Sequence, residues 1–216
     1  MVVGVGGAVL VPAEGVYASE VALRVGARSC TVAGGTPLAV LDAIRRAGGS
    51  GFALRDYGHC GSSAASSAQL FVLSINGETN SGQSGWEYKV GGAAGGTGAA
   101  DPSGPQGNGR RLSPAARVLW FWCVASARGC QRTLEVSAST TTVARGGSVS
   151  VAVTGYDNEG RGVPVAGAQV QLGSKLATTG SHGRATVTAP GTPGRYALSA
   201  SRRGLVPAFP GTIVVR

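Results

Sequence analysis

Residues 85–90, "GWEYKV", alternate without a break: Trp86, Tyr88 and Val90 share one parity, Glu87 and Lys89 the other. A period of two marks a strand with one face packed on a core. Aromatic and β-branched side chains favour the same state. Gly85 and the Gly91–Gly92 pair fence the stretch, so the strand is short and a turn follows it. The rings admit two readings. They are the inward face of a sheet, which alternation favours, or a contact platform at a hairpin end.

The neighbouring segments extend this strand into a sheet. "QLFVLSINGE", 69–78, reads as a strand running into an Asn76-Gly77 turn. "VALRV", 21–25, alternates, and "RVLWFWCV", 117–124, is an unbroken apolar run of buried-strand length. "TPLAVLDAIRR" carries the one helix signal. Thr36 is an N-cap, Pro37 suits the first helical position, Leu38, Leu41 and Ile44 form a stripe, and Gly48 stops it. Residues 91–109 are rich in Gly and Pro without apolar periodicity, which predicts a mobile loop. If the sheet is covered on one face only, Trp120, Phe121 or Trp122 lies on an open face and forms a binding patch. Residues 20–131 thus read as an α+β unit, one helix on a mixed sheet.

After residue 133 the pattern changes. No helix signal and no Cys follow. Short Val/Thr/Ser strands recur, "TLEVSAS", "SVSVAVTGY", "AQVQLG", "ATVTA", "RYALSAS" and "TIVV", separated by turns such as "DNEGRG". Residues 134–216 therefore read as a small all-β sandwich.

Composition bounds the class. Of 216 residues, 43% are hydrophobic, 13% charged and 37 are Gly, which suits packed β-structure and turns rather than disorder. The net charge of +9 attracts polyanions. The basic residues are scattered, with runs no longer than the pairs Arg45–Arg46, Arg110–Arg111 and Arg202–Arg203, so a nucleic-acid partner is not favoured. Residues 2–11 form an apolar run too short to span a bilayer, and "VYA" at 16–18 fits a leader cleavage site, so residues 1–18 read as a signal peptide, truncated at its basic end. The even count of four cysteines, Cys30, Cys60, Cys123 and Cys130, then implies two disulfides and a secreted, extracellular chain. Three connectivities are open. The six-residue spacing favours Cys123 with Cys130, which leaves Cys30 for Cys60. Zinc is disfavoured, because no C-x-x-C exists and His59 and Cys60 are adjacent.

Catalytic signatures are missing. There is no G-x-S-x-G, no H-E-x-x-H and no G-x-G-x-x-G after a strand. His59 and His182 lack a visible nucleophile partner, and Asp56, Glu78 and Glu87 are the carboxylates available for an acid/base pair. Asp157, Asn158 and Glu159 place oxygens in one turn, as calcium sites do, but D-N-E-G is also an ordinary hairpin turn. These residues predict no enzyme, no resident metal and no cofactor.

"GWEYKVGG" resembles the G-W-x-Y-x-V-N-G signature of the transcobalamin-like C-terminal domain family. The order of the helix start, "LSINGE", the Trp-Tyr strand and "RLSPAARVLWFWC" agrees over roughly residues 20–124. Gly91 replaces the family's Asn, and Ala115–Ala116 replace its Gly-Asp. The resemblance implies a β-grasp-like fold, with ligand contacts along Trp86, Tyr88, Gly91 and Gly92. The eukaryotic namesakes close over cobalamin with a large helical barrel, for which these 216 residues carry no signal. "PVAGAQVQL" through "GRYALSAS" resembles bacterial immunoglobulin-like or carboxypeptidase-regulatory-like modules, which implies a spacer or adhesion unit. The combined expectation is a secreted, non-enzymatic binding or cell-surface interaction protein of bacterial type. Its partner is an extracellular protein, polymer or small molecule. The alternatives are a corrinoid (cobalamin)-binding accessory protein and an extracellular hydrolase.

Overall fold

The computed structural model describes residues 1–127 and 129–216. The chain is mainly β, in several sheets, with one α-helix among the described residues. It divides into two compact units, Met1–Ala125 and Ser126–Arg216.

The first unit holds β1 (Val2–Val3), β2 (Val9–Val11), β3 (Val21–Val25), β4 (Arg28–Val32), α1 (Pro37–Arg46), β5 (Phe52–Asp56), β6 (Leu70–Ile75), β7 (Glu78–Thr79), β8 (Gly85–Val90), β9 (Ala93–Ala94) and β10 (Val118–Cys123). These strands form three sheets rather than the one expected: β2-β1-β10-β8-β9, β5-β6-β7 and the β3–β4 hairpin. The first is mixed, because β1 runs parallel to β10 while β8 runs antiparallel to it. The reading of 85–90 holds for its strand and its parity: Trp86 faces Trp122 and Tyr88 faces Trp120 across the β8–β10 ladder. The Asn76-Gly77 turn is present, with φ of 51° and 79° joining β6 to β7. Helix α1 begins where its cap predicts. Thr36 Oγ1 accepts the Ala39 N–H at 3.3 Å, and Leu38, Leu41 and Ile44 are buried.

Two expectations change. The apolar run 2–11, read as part of a leader, is built into the fold. Val2 and Val3 pair with Trp120 and Phe121 and are essentially fully buried. A Val-rich run has the apolarity of a leader and the β-branching of a strand, and hydropathy alone does not separate them. The stretch 91–109, read as mobile, is tied down. Gly91–Gly92 form the β8–β9 turn, and Ala99 and Ala100 are buried. Leu38 N–H donates to Ala99 O at 2.8 Å, so this loop caps the first turn of α1. The loop also bonds within itself, Gly96 N–H to Pro105 O and the Thr97 side-chain Oγ1–H to Gly104 O, both 2.8 Å.

The second unit holds β11 (Thr133–Ala138), β12 (Thr142–Val143), β13 (Ser148–Tyr156), β14 (Gly162–Pro164), β15 (Gln169–Leu172), β16 (Lys175–Thr178), β17 (Arg184–Thr188), β18 (Gly194–Ser201) and β19 (Gly211–Val215). One sheet pairs β13 with β11 on one side and with β14 and β17 on the other. The second has the order β12-β19-β18-β15-β16. Alternate residues, Val149, Val151 and Val153 from the first sheet and Val170, Leu172, Leu198, Ile213 and Val215 from the second, meet in one core. Two sheets enclosing one core make a β-sandwich. The short β12, β14 and β16 escape a sequence reading because two to four residues carry too little periodicity.

Among the described residues no helix is long and apolar enough to cross a membrane. All four cysteines are disulfide-bonded. Cys30 pairs with Cys60, closing a separation of 30 residues, as the sequence reading expects. A disulfide closing a loop of that size stabilises by about 3–4 kcal/mol through the unfolded chain.

Candidate functional site

The rings that alternation singled out lie in the core. Trp86 and Tyr88 are 5% and 6% exposed. Trp86 meets Trp122 edge-on at 5.8 Å, and Tyr88 meets Trp120 at 5.5 Å. Their polar atoms are bonded internally. Trp86 Nε1–H donates to Glu78 O at 2.7 Å, Tyr88 O–H to Thr97 O at 2.8 Å and Trp120 Nε1–H to Pro37 O at 3.3 Å. Burial pushes the Tyr88 phenol above its ordinary range. The expected ligand contacts along Trp86 and Tyr88 therefore have no open surface. Residues of α1, with Ala99 and Ala100, pack in this same core. Gly91, with φ of 62°, and Gly92 make the turn that lets the chain fold back. Trp120, Phe121 and Trp122 are buried as well, so the patch expected on an open face of that strand does not form.

A different aromatic group is exposed. In β5, Phe52 and Leu54 turn toward the core while Ala53 and Arg55 point out, and Tyr57 continues the outward parity. In β6, Leu70 and Val72 are buried and Phe71 points out, directly opposite Arg55. Tyr57 and Phe71 are 60% and 43% exposed, and their rings meet edge-on at 5.9 Å. The Arg55 guanidinium lies 5.1 Å over the Tyr57 ring. Such a stack holds a cation against an aromatic face by about 0.5–1 kcal/mol at an exposed site.

The ground beneath the stack is fixed. The Asp56 carboxylate accepts the N–H groups of Gly58 and Cys60, each at 3.0 Å, and pairs with Arg28 at 3.0 Å. Desolvation pushes the Asp56 carboxyl up, but the Cys60 and Gly58 N–H groups and the Arg28 guanidinium outweigh it and hold it below the ordinary range. Cys60, at the end of this turn, is bonded to Cys30 on β4, and Thr31 N–H donates to Gly61 O at 2.8 Å. Tyr57 therefore rides on a turn clamped by a carboxylate, an ion pair and a disulfide.

The other residues singled out for chemistry do not assemble. Asp56 pairs with Leu70 and Glu78 with Ile75, at opposite ends of β6, about 17 Å apart at strand rise. Glu78 accepts the Val5 N–H at 2.9 Å. Glu87 points to the opposite face of its sheet from Trp86, beside Phe121. His59 and His182 are exposed. In the Asp157–Asn158–Glu159 turn, Asp157 accepts the Arg161 N–H at 2.8 Å and lies 3.5 Å from the Arg132 guanidinium, the arrangement of a closed turn with its charge already met. Among the described residues no group of three His, Cys, Asp or Glu is placed to hold a metal ion.

Sequence reading missed the exposed stack. The parity of Arg55 and Tyr57 was available in "ALRDY", but the register that brings Phe71 opposite Arg55 is a property of the folded ladder.

No protein-family model and no curated protein sequence matches the chain. Among solved structures, the D00-D0 domain of intimin is similar at 16% identity and a TM-score of 0.31, over 68% of this chain and 90% of that one. The D0-D1 domain of intimin is similar at 15% identity and a TM-score of 0.27, over 68% and 88%. Likeness at this level does not define a shared fold.

Proposed function

We propose that this chain is an extracellular, non-enzymatic binding protein of bacterial type, which meets its partner through the outward face of β5 and β6. The observation that carries this reading is the exposed stack of Arg55, Tyr57 and Phe71 on a disulfide-clamped turn. Aromatic and Arg side chains are the groups that dominate binding interfaces. A clamped surface loses little conformational freedom on binding, so more of the contact energy appears as affinity. The disulfides support an oxidising compartment. The motif order around "GWEYKVGG" supports a β-grasp-like, transcobalamin-like first unit. The strand pattern of the sandwich supports an immunoglobulin-like module.

The test is binding of the intact labelled protein to bacterial envelope fragments at high ionic strength, which screens attachment driven by charge alone. The Tyr57→Ala/Phe71→Ala variant should bind at least tenfold more weakly, about 1.4 kcal/mol, with an unchanged circular dichroism spectrum. Equal binding by the two proteins would refute the assignment of this surface.

A further inference from the structure

Charge is distributed unequally between the two units. Met1–Ala125 contains nine basic and seven acidic residues, a net charge of +2. Ser126–Arg216 contains ten basic and three acidic residues, a net charge of +7. The pattern is sharper within the sandwich. Its three carboxylates, Glu135, Asp157 and Glu159, belong to β11 and the turn after β13, both of the first sheet. No Asp or Glu occurs after Glu159, so the strands β12, β15, β16, β18 and β19 and the turns between β15 and β19 carry none.

The ladder gathers cations that look scattered in sequence. At one end of the five-stranded sheet, Arg195 pairs with Val214, and Arg145 N–H donates to Arg216 O at 3.1 Å. At the other end, Arg202 and Arg203 follow directly on β18. Lys175 opens β16 at the sheet edge. All six side chains are exposed, and none forms an ion pair among the described residues. Arg195 and Arg202 are seven residues apart along one strand direction, about 23 Å. Between them the outward positions carry Gln171, Ser199 and Thr212 together with Ala197, Val214 and Leu176, which is 59% exposed, and no outward position of the sheet is aromatic. The face carries hydroxyl and amide groups and has cations at both ends, while Lys175, opposite the inward Leu172, lies at its edge. Its cations are spread over more than a Debye length of about 8 Å, so a small anion meets only part of the field while an extended polymer meets all of it.

We propose that the outer face of this five-stranded sheet binds an extended anionic surface polymer, of the kind built from phosphodiester-linked polyol or sugar units. The hydroxyl-rich repeat matches the Ser, Thr and Gln side chains, and the phosphates match the Arg frame. Nucleic acid is the less fitting polyanion, because the face offers no aromatic platform for bases. The choice of a surface polymer rests on the extracellular reading above. The site itself belongs to a different unit from the β5–β6 surface, so the two assignments fail separately.

The experiment measures affinity of the intact protein for poly(glycerol phosphate) in low salt by calorimetry, with single-stranded DNA of equal charge as a second arm. Arg195→Glu/Arg202→Glu/Arg203→Glu should lose at least tenfold in affinity. The milder triple change to Gln guards against misfolding and should lose affinity in the same direction. Arg24→Glu/Arg110→Glu/Arg184→Glu, an equal charge change at residues outside this sheet, should stay within about threefold, and Tyr57→Ala/Phe71→Ala should match wild type. Affinity should fall steeply between about 50 and about 200 mM salt, as counterion release requires. Equal losses in both charge-reversed triples, tighter binding to DNA than to the polymer, or no polymer binding at low salt would each overturn the proposal.

Discussion

Replacing Trp86 with Ala separates a core ring from a ligand platform most cleanly. The indole is 5% exposed, packs edge-on against Trp122 at 5.8 Å and donates to Glu78 O at 2.7 Å. Truncating a buried Trp to Ala costs about 3–5 kcal/mol in lost transfer energy and residual cavity. The Glu78 carbonyl also loses its donor, which adds about 1 kcal/mol. A loss of about 4 kcal/mol or more is a large part of the 5–15 kcal/mol of an ordinary domain. With a urea slope of about 1–3 kcal/mol/M, the unfolding midpoint should fall by more than about 1 M. All three Trp residues lie in the first unit, so Trp emission reports that unit alone, with Trp120 and Trp122 as reporters in the variant. Tyr57→Ala is the comparison, expected to cost about 1 kcal/mol from its contacts with Arg55 and Phe71. A Trp86→Ala loss below about 1 kcal/mol, or one no larger than that of Tyr57→Ala, would refute the buried placement of the hairpin.

Three further outcomes follow from the same structure. Cys30→Ser/Cys60→Ser should destabilise the first unit by about 3–4 kcal/mol, measured by the same urea titration, and should weaken binding through β5–β6 by freeing the Tyr57 turn. Gly95→Ala should cost about 1–3 kcal/mol, because a methyl group there would occupy the space of the Tyr88 hydroxyl end, and proteolysis within 95–112 should accelerate. The folded Asp56 carboxyl is held below its unfolded value, so its contribution is present above the unfolded pKa and is lost as pH falls through the folded one. Urea midpoints should therefore drop below about pH 4, and Asp56→Asn should remove part of that acid-side drop while lowering the neutral-pH midpoint.

What the sequence revealed depends on the range of the interaction. Local signals carried far. The Thr36–Pro37 cap, the Leu38–Leu41–Ile44 stripe and the Gly48 stop locate α1, and strict alternation locates β8 and most strands of the sandwich. Pairing was not legible. Nothing in "MVV" says that Val2 and Val3 complete a sheet with Trp120 and Phe121, because that contact spans over a hundred residues and uses one isolated pair of valines. Loop closure over the aromatic face was hidden for a related reason. Ala99 and Ala100 are apolar but small, and a two-residue anchor has no period to detect. The candidate surfaces depend on register in the same way. Phe71 opposite Arg55, and Arg145 beside Arg216, are neighbours only once the ladders form.

The placement of the working surface on Tyr57, with Trp86 and Tyr88 inside, is tested most directly by tyrosine nitration read residue by residue by mass spectrometry, in free protein and in protein bound to envelope fragments. In the free protein Tyr57 and Tyr17, 60% and 88% exposed, should react readily, while Tyr88, 6% exposed and with its phenol shifted up, should stay unmodified. On binding, Tyr57 should become protected while Tyr17 keeps reacting. Nitration of Tyr88 at the rate of Tyr17, or an unchanged rate at Tyr57 in the bound protein, would contradict the account.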